Sequence, residues 1–245
     1  VRTPTVPPLR AVLFDLDDTL FDHARATRAA LASLQQIDSA LARWSLDELD
    51  RRHRVALEAW HEQVLAGRTT IDRARIARFT ELVTAAVGEA TEAHAALLAR
   101  GYRSAYETAW HTVAGAVPLV ETLVARGYLV AVVTNNVRAE QELKLARCGL
   151  TALLPVLVTS EEMGCQKPDP AIFQAALDRL GVSAAESVMV GDAWATDIEG
   201  ARRAGVRPVW LNRFGAIAPE PVTELQSFEP LAQAWAAIVG SDGPR

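Results

Sequence analysis

Two hydrophobic rhythms run along this chain, and they divide it. Ala11-Val12-Leu13-Phe14 is an unbroken apolar run, the mark of a strand buried on both faces, and it gives way at once to Asp15, Asp17, Asp18 and Thr19. From there the period turns helical and stays so to about residue 112. Ala24 to Gln36 is rich in Ala and Leu; Leu46, Leu49, His53, Leu57, Trp60 and Val64 recur in three- and four-residue steps up to Gly67. Ile76, Phe79, Leu82, Val83 and Val87 predict another helix before Gly88, and a further one is expected from about Ala90 towards Trp110, with Gly101 as a point of interruption. Four helices without a strand predict a small bundle.

From Val113 strands and helices alternate. A helix over 118–126, opened by Pro118 and closed by Gly127, leads into a strand from Tyr128 to Val133, which ends in Thr134-Asn135-Asn136. A helix from Arg138 to Cys148, a strand over Pro155 to Thr159, a helix over 170–180, a strand from Ser187 to Val190 ending in Gly191-Asp192, a helix over 195–204 and a strand over Pro208 to Leu211 complete the series. Such repetition predicts an α/β fold with a doubly wound parallel sheet. The stretch from Phe214 to Pro221 reads as loop, and Glu229 to Val239 as a last helix around Trp235, serving packing. The expected organisation is an α/β core from residues 9–21 and 113–245, interrupted by a helical domain over 22–112 that leaves from the end of the first strand and is placed to cover what lies there.

Ligands of open α/β sheets bind outside the carboxyl ends of the strands, so the polar residues that end each strand are expected to meet. They are Asp15 and Asp17, then Thr134 and Asn135, then Asp192, with Lys167 arriving from a loop. If strand geometry persists to Thr19, Asp15, Asp17 and Thr19 project one way and Asp18 the other. Converging carboxylates repel unless a cation or a shared proton neutralises them, and a hard ion with oxygen ligands such as Mg2+ suits them.

Composition narrows the possibilities without deciding among them. With 50% hydrophobic and 22% charged residues a sizeable core is expected. The net charge of -5, without a long basic run, argues against a nucleic-acid partner. Cys148 and Cys165 are too few for a disulfide framework, nothing before the first strand resembles a secretory signal, and no apolar stretch reaches the roughly 18 residues of a membrane span. A cytoplasmic location without a membrane partner is therefore expected. The opening, with three prolines in its first eight residues, is expected to be an unstructured leader.

Phosphoryl transfer needs a nucleophile, a cation for the non-bridging oxygens, donors that orient them and an acid for the leaving oxygen. Asp15, a bound metal, Thr134 with Lys167, and Asp17 supply these in turn. The stretches Asp15-Leu16-Asp17-Asp18-Thr19, Thr134 after Val130-Ala131-Val132-Val133, Lys167-Pro168, and Gly191-Asp192-Ala193-Trp194-Ala195-Thr196-Asp197 resemble, in order and setting, the four motifs of the haloacid dehalogenase superfamily, and the resemblance covers almost the whole chain. It implies a Rossmann-like core with a helical cap between the first two motifs, and a Mg2+-dependent phosphatase of a small phosphorylated metabolite: a nucleotide, a flavin-pathway phosphate or a sugar phosphate. By the family's scheme Asp15 becomes an aspartyl phosphate, and Asp17 protonates the leaving alcohol and then activates water. Mg2+ is held by Asp15, the backbone carbonyl of Asp17 and Asp192. Thr134 and the Asn135 amide bind the phosphoryl group, Lys167 pairs with the nucleophile, and Asp197, like Thr19, supports the site, Asp197 by orienting Lys167 or a metal-bound water.

Plainer readings exist for each residue alone. Lys167 could be a surface lysine in a turn, Asp192 and Asp197 a loop residue and a helix-start charge, and Thr134 to Asn136 a helix cap. Trp44, Trp60, Trp110, His53, His61 and His111 read as packing between helices; Phe21 and His23, just past the acidic loop, are better placed to touch a ligand. Cys148 is expected to be buried and inert, Cys165 accessible without being catalytic. Among rival functions, a 2-haloacid dehalogenase lacks use for Asp17 and for a metal, a phosphomutase would retain the phosphoryl enzyme, a signalling receiver has no need of the helical insertion, and a silent binding protein would not keep every catalytic position. Monomer and homodimer stay open.

Overall fold

A computed structural model describes residues 7–240. The expected leader lies, up to residue 6, outside the described residues. Its last part is not loose: the Arg10 amide donates to the Glu186 carbonyl at 2.8 Å, and the Leu129 amide donates to the Arg10 carbonyl at 2.9 Å, so sheet pairing begins one residue before the apolar run. The chain forms two compact units, Val1–Asp22 with His111–Arg245, and His23–Trp110.

The first unit holds a six-stranded parallel sheet: β1 (Ala11–Phe14), β2 (Leu129–Thr134), β3 (Val156–Thr159), β4 (Ser187–Gly191), β5 (Arg207–Leu211) and β6 (Thr223–Leu225), in the order β3-β2-β1-β4-β5-β6. β1 is central and fully buried, which is why its four residues are all apolar. Leu13, Ala131, Val133 and Met189 pack on Ile172, Phe173, Ala176 and Leu177 of α8 (Pro170–Leu180), while α5 (Ala116–Ala125) lies against β2. The winding moves outward from β1 to β3, then returns to the other side of β1 with β4. That reversal opens a crevice at the carboxyl ends of β1 and β4, where Asp15 and Asp192 stand.

Other elements of this unit are α6 (Arg138–Arg147), the one-turn α7 (Ser160–Met163), α9 (Glu199–Arg203) and α10 (Leu231–Ile238). Three differences from the sequence reading have local causes. The helix expected over 195–204 begins as a π-helical turn, Trp194–Ile198, in which the Glu199 amide reaches back five residues to the Trp194 carbonyl. The 118–126 helix starts two residues before Pro118, after Gly115 at φ 78, where a side chain would strike Phe228 and Glu229. Edge strand β6 has three residues, too few to show an alternation. The tail helix does pack: Trp235 meets the Tyr128 ring edge-on at 5.8 Å.

In the second unit α1 (His23–Gln35), α2 (Leu46–Leu65), α3 (Ile71–Val87) and α4 (Glu92–Thr108) form a bundle in which each helix touches two others. Ser45, Thr70 and Thr91 cap the last three by accepting the amide three residues on. The α4 helix runs through Gly101 without interruption: a Cβ there would stand 3.1 Å from Leu34 Cδ2, so glycine serves close packing of α1 on α4. His53 is buried against Tyr102 and Phe79, whereas Trp44, Trp60 and His61 are half-buried. Among the described residues no helix is long and apolar enough to cross a membrane.

Candidate active site

Asp15 is the first residue past β1, and its amide extends the ladder to the Val190 carbonyl at 2.9 Å. The Leu16 carbonyl accepts the amides of Leu20 at 2.9 Å and Phe21 at 2.8 Å, and Asp18 takes φ 63, a left-handed conformation that Asp tolerates better than most residues. The condition on which alternation would carry Thr19 to the face of Asp15 is therefore not met, because from Asp18 onward a tight turn replaces the strand. Thr19 reaches the site by another route, donating from its hydroxyl to Asp192 Oδ1 at 3.3 Å. Arg213, just past β5, ties the turn down: it donates to the Asp18 carbonyl at 3.2 Å and pairs with Asp22 at 2.8 Å.

Lys167 is 2% exposed and lies between two carboxylates, its Nζ donating to Asp15 Oδ1 at 2.6 Å and to Asp197 Oδ1 at 2.7 Å. The Asn135 side chain fixes its backbone from both sides, donating to the Lys167 carbonyl at 2.9 Å and accepting its amide at 2.7 Å. Asp197 Oδ2 also accepts the Ala193 amide at 3.0 Å. This geometry needs Gly191: a Cβ there would stand 2.5 Å from Asp197 Cβ.

Burial holds the electrostatics out of balance. Desolvation pushes the Asp15 carboxyl up to about 7, against the pull of Lys167 and with Asp197 adding to the rise. Asp192 is pushed well above the carboxylate range by burial and by Asp15, Asp197 and Asp18. Burial alone would lower Lys167, but Asp15 and Asp197 reverse that and raise it. Two like charges 4 Å apart repel by about 4 kcal/mol at an effective dielectric constant near 20, so one lysine does not balance this cluster. Oxygens of Asp15, Asp192 and Asp197 lie within 4.8 Å of one another. A buried, all-oxygen, negatively unbalanced donor set fits Mg2+.

Asp17 is not one of those three carboxylates, although its charge adds to the rise of Asp15. It accepts from Lys144 Nζ at 2.5 Å, Gln141 Nε2 at 3.0 Å and Asn136 Nδ2 at 3.3 Å, so its expected link to a metal rests on its backbone carbonyl. Thr134 is buried at the end of β2, and Gln141 donates to its Oγ1 at 2.7 Å. Asp15, Thr134, Lys167, Asp192 and Asp197 thus gather at the carboxyl edge of the sheet, with Asp17 tied to Thr134 through Gln141.

Sequence reasoning passed over Gln141, Lys144 and Arg213. Signals for the first two are present in α6: Gln141, Lys144 and Leu145 share a face by three- and four-residue spacing, and polar residues hold positions where a helix packed on a sheet wants apolar ones. Cys148 and Cys165 are both half-buried free thiols, and burial raises their pKa values.

Residues 9–205 match the family model described as haloacid dehalogenase-like hydrolase. The chain is 34% identical over 211 residues to ribulose-1,5-bisphosphate 5-phosphatase of Halopiger xanaduensis, covering 82% of this chain and 84% of that one. Its fold superposes with a TM-score of 0.74 on the magnesium-bound HAD-hydrolase YfnB of Bacillus subtilis, 27% identical, covering 93% of this chain and 99% of the other. With 2-haloacid dehalogenase from Pseudomonas syringae the TM-score is 0.60 at 26% identity, covering 93% and 98%.

Proposed function

This chain belongs to the haloacid dehalogenase-like hydrolases, and from that premise we propose that it is a Mg2+-dependent phosphatase of a sugar phosphate, acting through an aspartyl phosphate on Asp15. The observation that carries the reading is the placement of Lys167, buried between Asp15 and Asp197 beside Asp192, with Asp17 held close by. Lys167 favours the ionised form of Asp15 against its burial and directs its Oδ1. Asp15 attacks phosphorus, an O–P bond forms, and the ester P–O bond breaks. Asp17 gives its proton to the departing oxygen; as a carboxylate it then takes a proton from the water that cleaves the acyl phosphate. Thr134 and the Asn135 amide orient the phosphoryl oxygens. Asp15 and Asp192, with the Asp17 carbonyl, would hold Mg2+, which when bound offsets the repulsion between a carboxylate and a phosphate anion.

Proton transfer of this kind is worth roughly 10²- to 10⁴-fold, so most of the acceleration comes from positioning and electrostatics. Halide displacement asks for no proton on the leaving group, which leaves Asp17 and its donors without a task and disfavours the dehalogenase reading. The sugar-phosphate class is supported by the ribulose-1,5-bisphosphate relative. Phosphate release from a panel of sugar, nucleotide and flavin-pathway phosphates tests it. Activity is expected to require Mg2+, to be greatest on a sugar phosphate, to vanish in Asp15→Asn and to fall about 100-fold or more in Asp17→Asn. Undiminished release by Asp15→Asn would remove the nucleophile from the account.

A further inference from the structure

Helix α6 buries what such a helix ordinarily exposes. Lys144 is 2% exposed and Gln141 fully buried, while Leu143 between them is 37% exposed. Burying an ammonium is costly unless it is paired, so this inverted face needs a cause. Its cause is Asp17. Lys144 Nζ lies 2.5 Å from Asp17 Oδ1 and 5.0 Å from the centre of the Phe21 ring. Gln141 Nε2 donates both to Asp17 Oδ2 at 3.0 Å and to Thr134 Oγ1 at 2.7 Å. Neither residue bonds Asp15, Asp192 or Lys167 in the described contacts, so both reach the reacting centre through Asp17 and Thr134.

We propose that Lys144 and Gln141 are positioning residues that hold the Asp17 carboxylate in place to take the proton from water in the second half of the reaction. The inference rests on the phosphatase reading of the site. Every group reaching Asp17 from α6 is a donor, and donors orient an ionised carboxylate, the form that accepts a proton. A carboxylate freed from them would rotate, and hydrolysis of the aspartyl phosphate would slow. Phosphorylation by a substrate whose leaving group needs no proton would continue.

The test is stopped-flow turnover of p-nitrophenyl phosphate with Mg2+ by the wild type and by Lys144→Met. The variant is expected to keep a burst of about one nitrophenolate per site while its steady rate falls about 10- to 100-fold, because the phosphoenzyme accumulates. Gln141→Met, with no charge removed, should raise the ratio of burst to steady rate in the same direction but less, and it decides the matter if Lys144→Met does not fold. A ratio unchanged from wild type in the folded variants would overturn the proposal, as would loss of burst and turnover together. A wild type that releases nitrophenolate neither in a burst nor steadily would sink the phosphatase reading instead. The position of Asp17 in a crystal structure of the variant then decides the inference: displaced as expected, or unmoved against it.

Discussion

A single hydrogen atom at position 191 sets the space in which Lys167 meets its partners. A methyl group there would press on the Asp197 carboxylate, which is bound to Lys167 and to the Ala193 amide. Gly191→Ala is expected to cost about 2 kcal/mol by overpacking and to lower phosphatase turnover at least about tenfold, as read by urea unfolding and phosphate release. Undisturbed stability and turnover would mean that Asp197 has room to move. At this scale the types and order of the site residues were legible in the sequence, and their directions were not. Asp15 could be placed because it ends a buried apolar run; Thr19 could not, because the turn that carries it depends on Asp18 at φ 63 and on Arg213, some two hundred positions on in sequence.

Elements were readable where a period repeats and a cap or glycine ends it. The stops are legible at Gly67, Gly88 and Gly181, whereas the starts of α2 to α4 after Ser45, Thr70 and Thr91 are caps that only the structure brings out, which is why α3 begins at Ile71, ahead of its first apolar repeat at Ile76. Helix α6 departs from the apolar pattern, since its buried face is polar for the sake of a partner that only tertiary structure supplies. The helical bundle makes its own prediction through α2. His53 is buried with neither ring nitrogen hydrogen-bonded among the described residues, and desolvation, then Arg78 and His23, hold its pKa well below 6.5. Unfolded, the ring takes up a proton as pH falls through 6.5; folded, it stays neutral until much lower pH. Stability from this residue is therefore full above 6.5 and drains below, by about 1.4 kcal/mol between pH 7.5 and 5.5. Because the raised carboxyls of Asp15 and Asp192 gain stability over the same interval in both proteins, the readout is the difference: from pH 7.5 to 5.5 urea unfolding should show the wild type losing about 1.4 kcal/mol relative to His53→Leu. Equal changes in the two proteins would mean that the folded protein protonates His53.

Across the whole molecule, the sheet order explains why residues distant in sequence become chemical neighbours. β1 carries Asp15 in the middle, β2 brings Thr134 and Asn135 on one side, and β4 brings Asp192 on the other. The loop before α8 brings Lys167 across to Asp15, fixed by Asn135. Parallel winding puts every one of these strand ends at the same edge, so the fold needs few residues to build a charged, dehydrated site there. The proposed reaction passes through an acyl phosphate on Asp15. Its most direct test is to quench the enzyme during turnover of a sugar phosphate with Mg2+, reduce with borohydride and map the modified residue by mass spectrometry. Homoserine in place of Asp15, dependent on both substrate and Mg2+, is the result expected; an enzyme that turns over its substrate yet carries no modification at Asp15 would contradict the account.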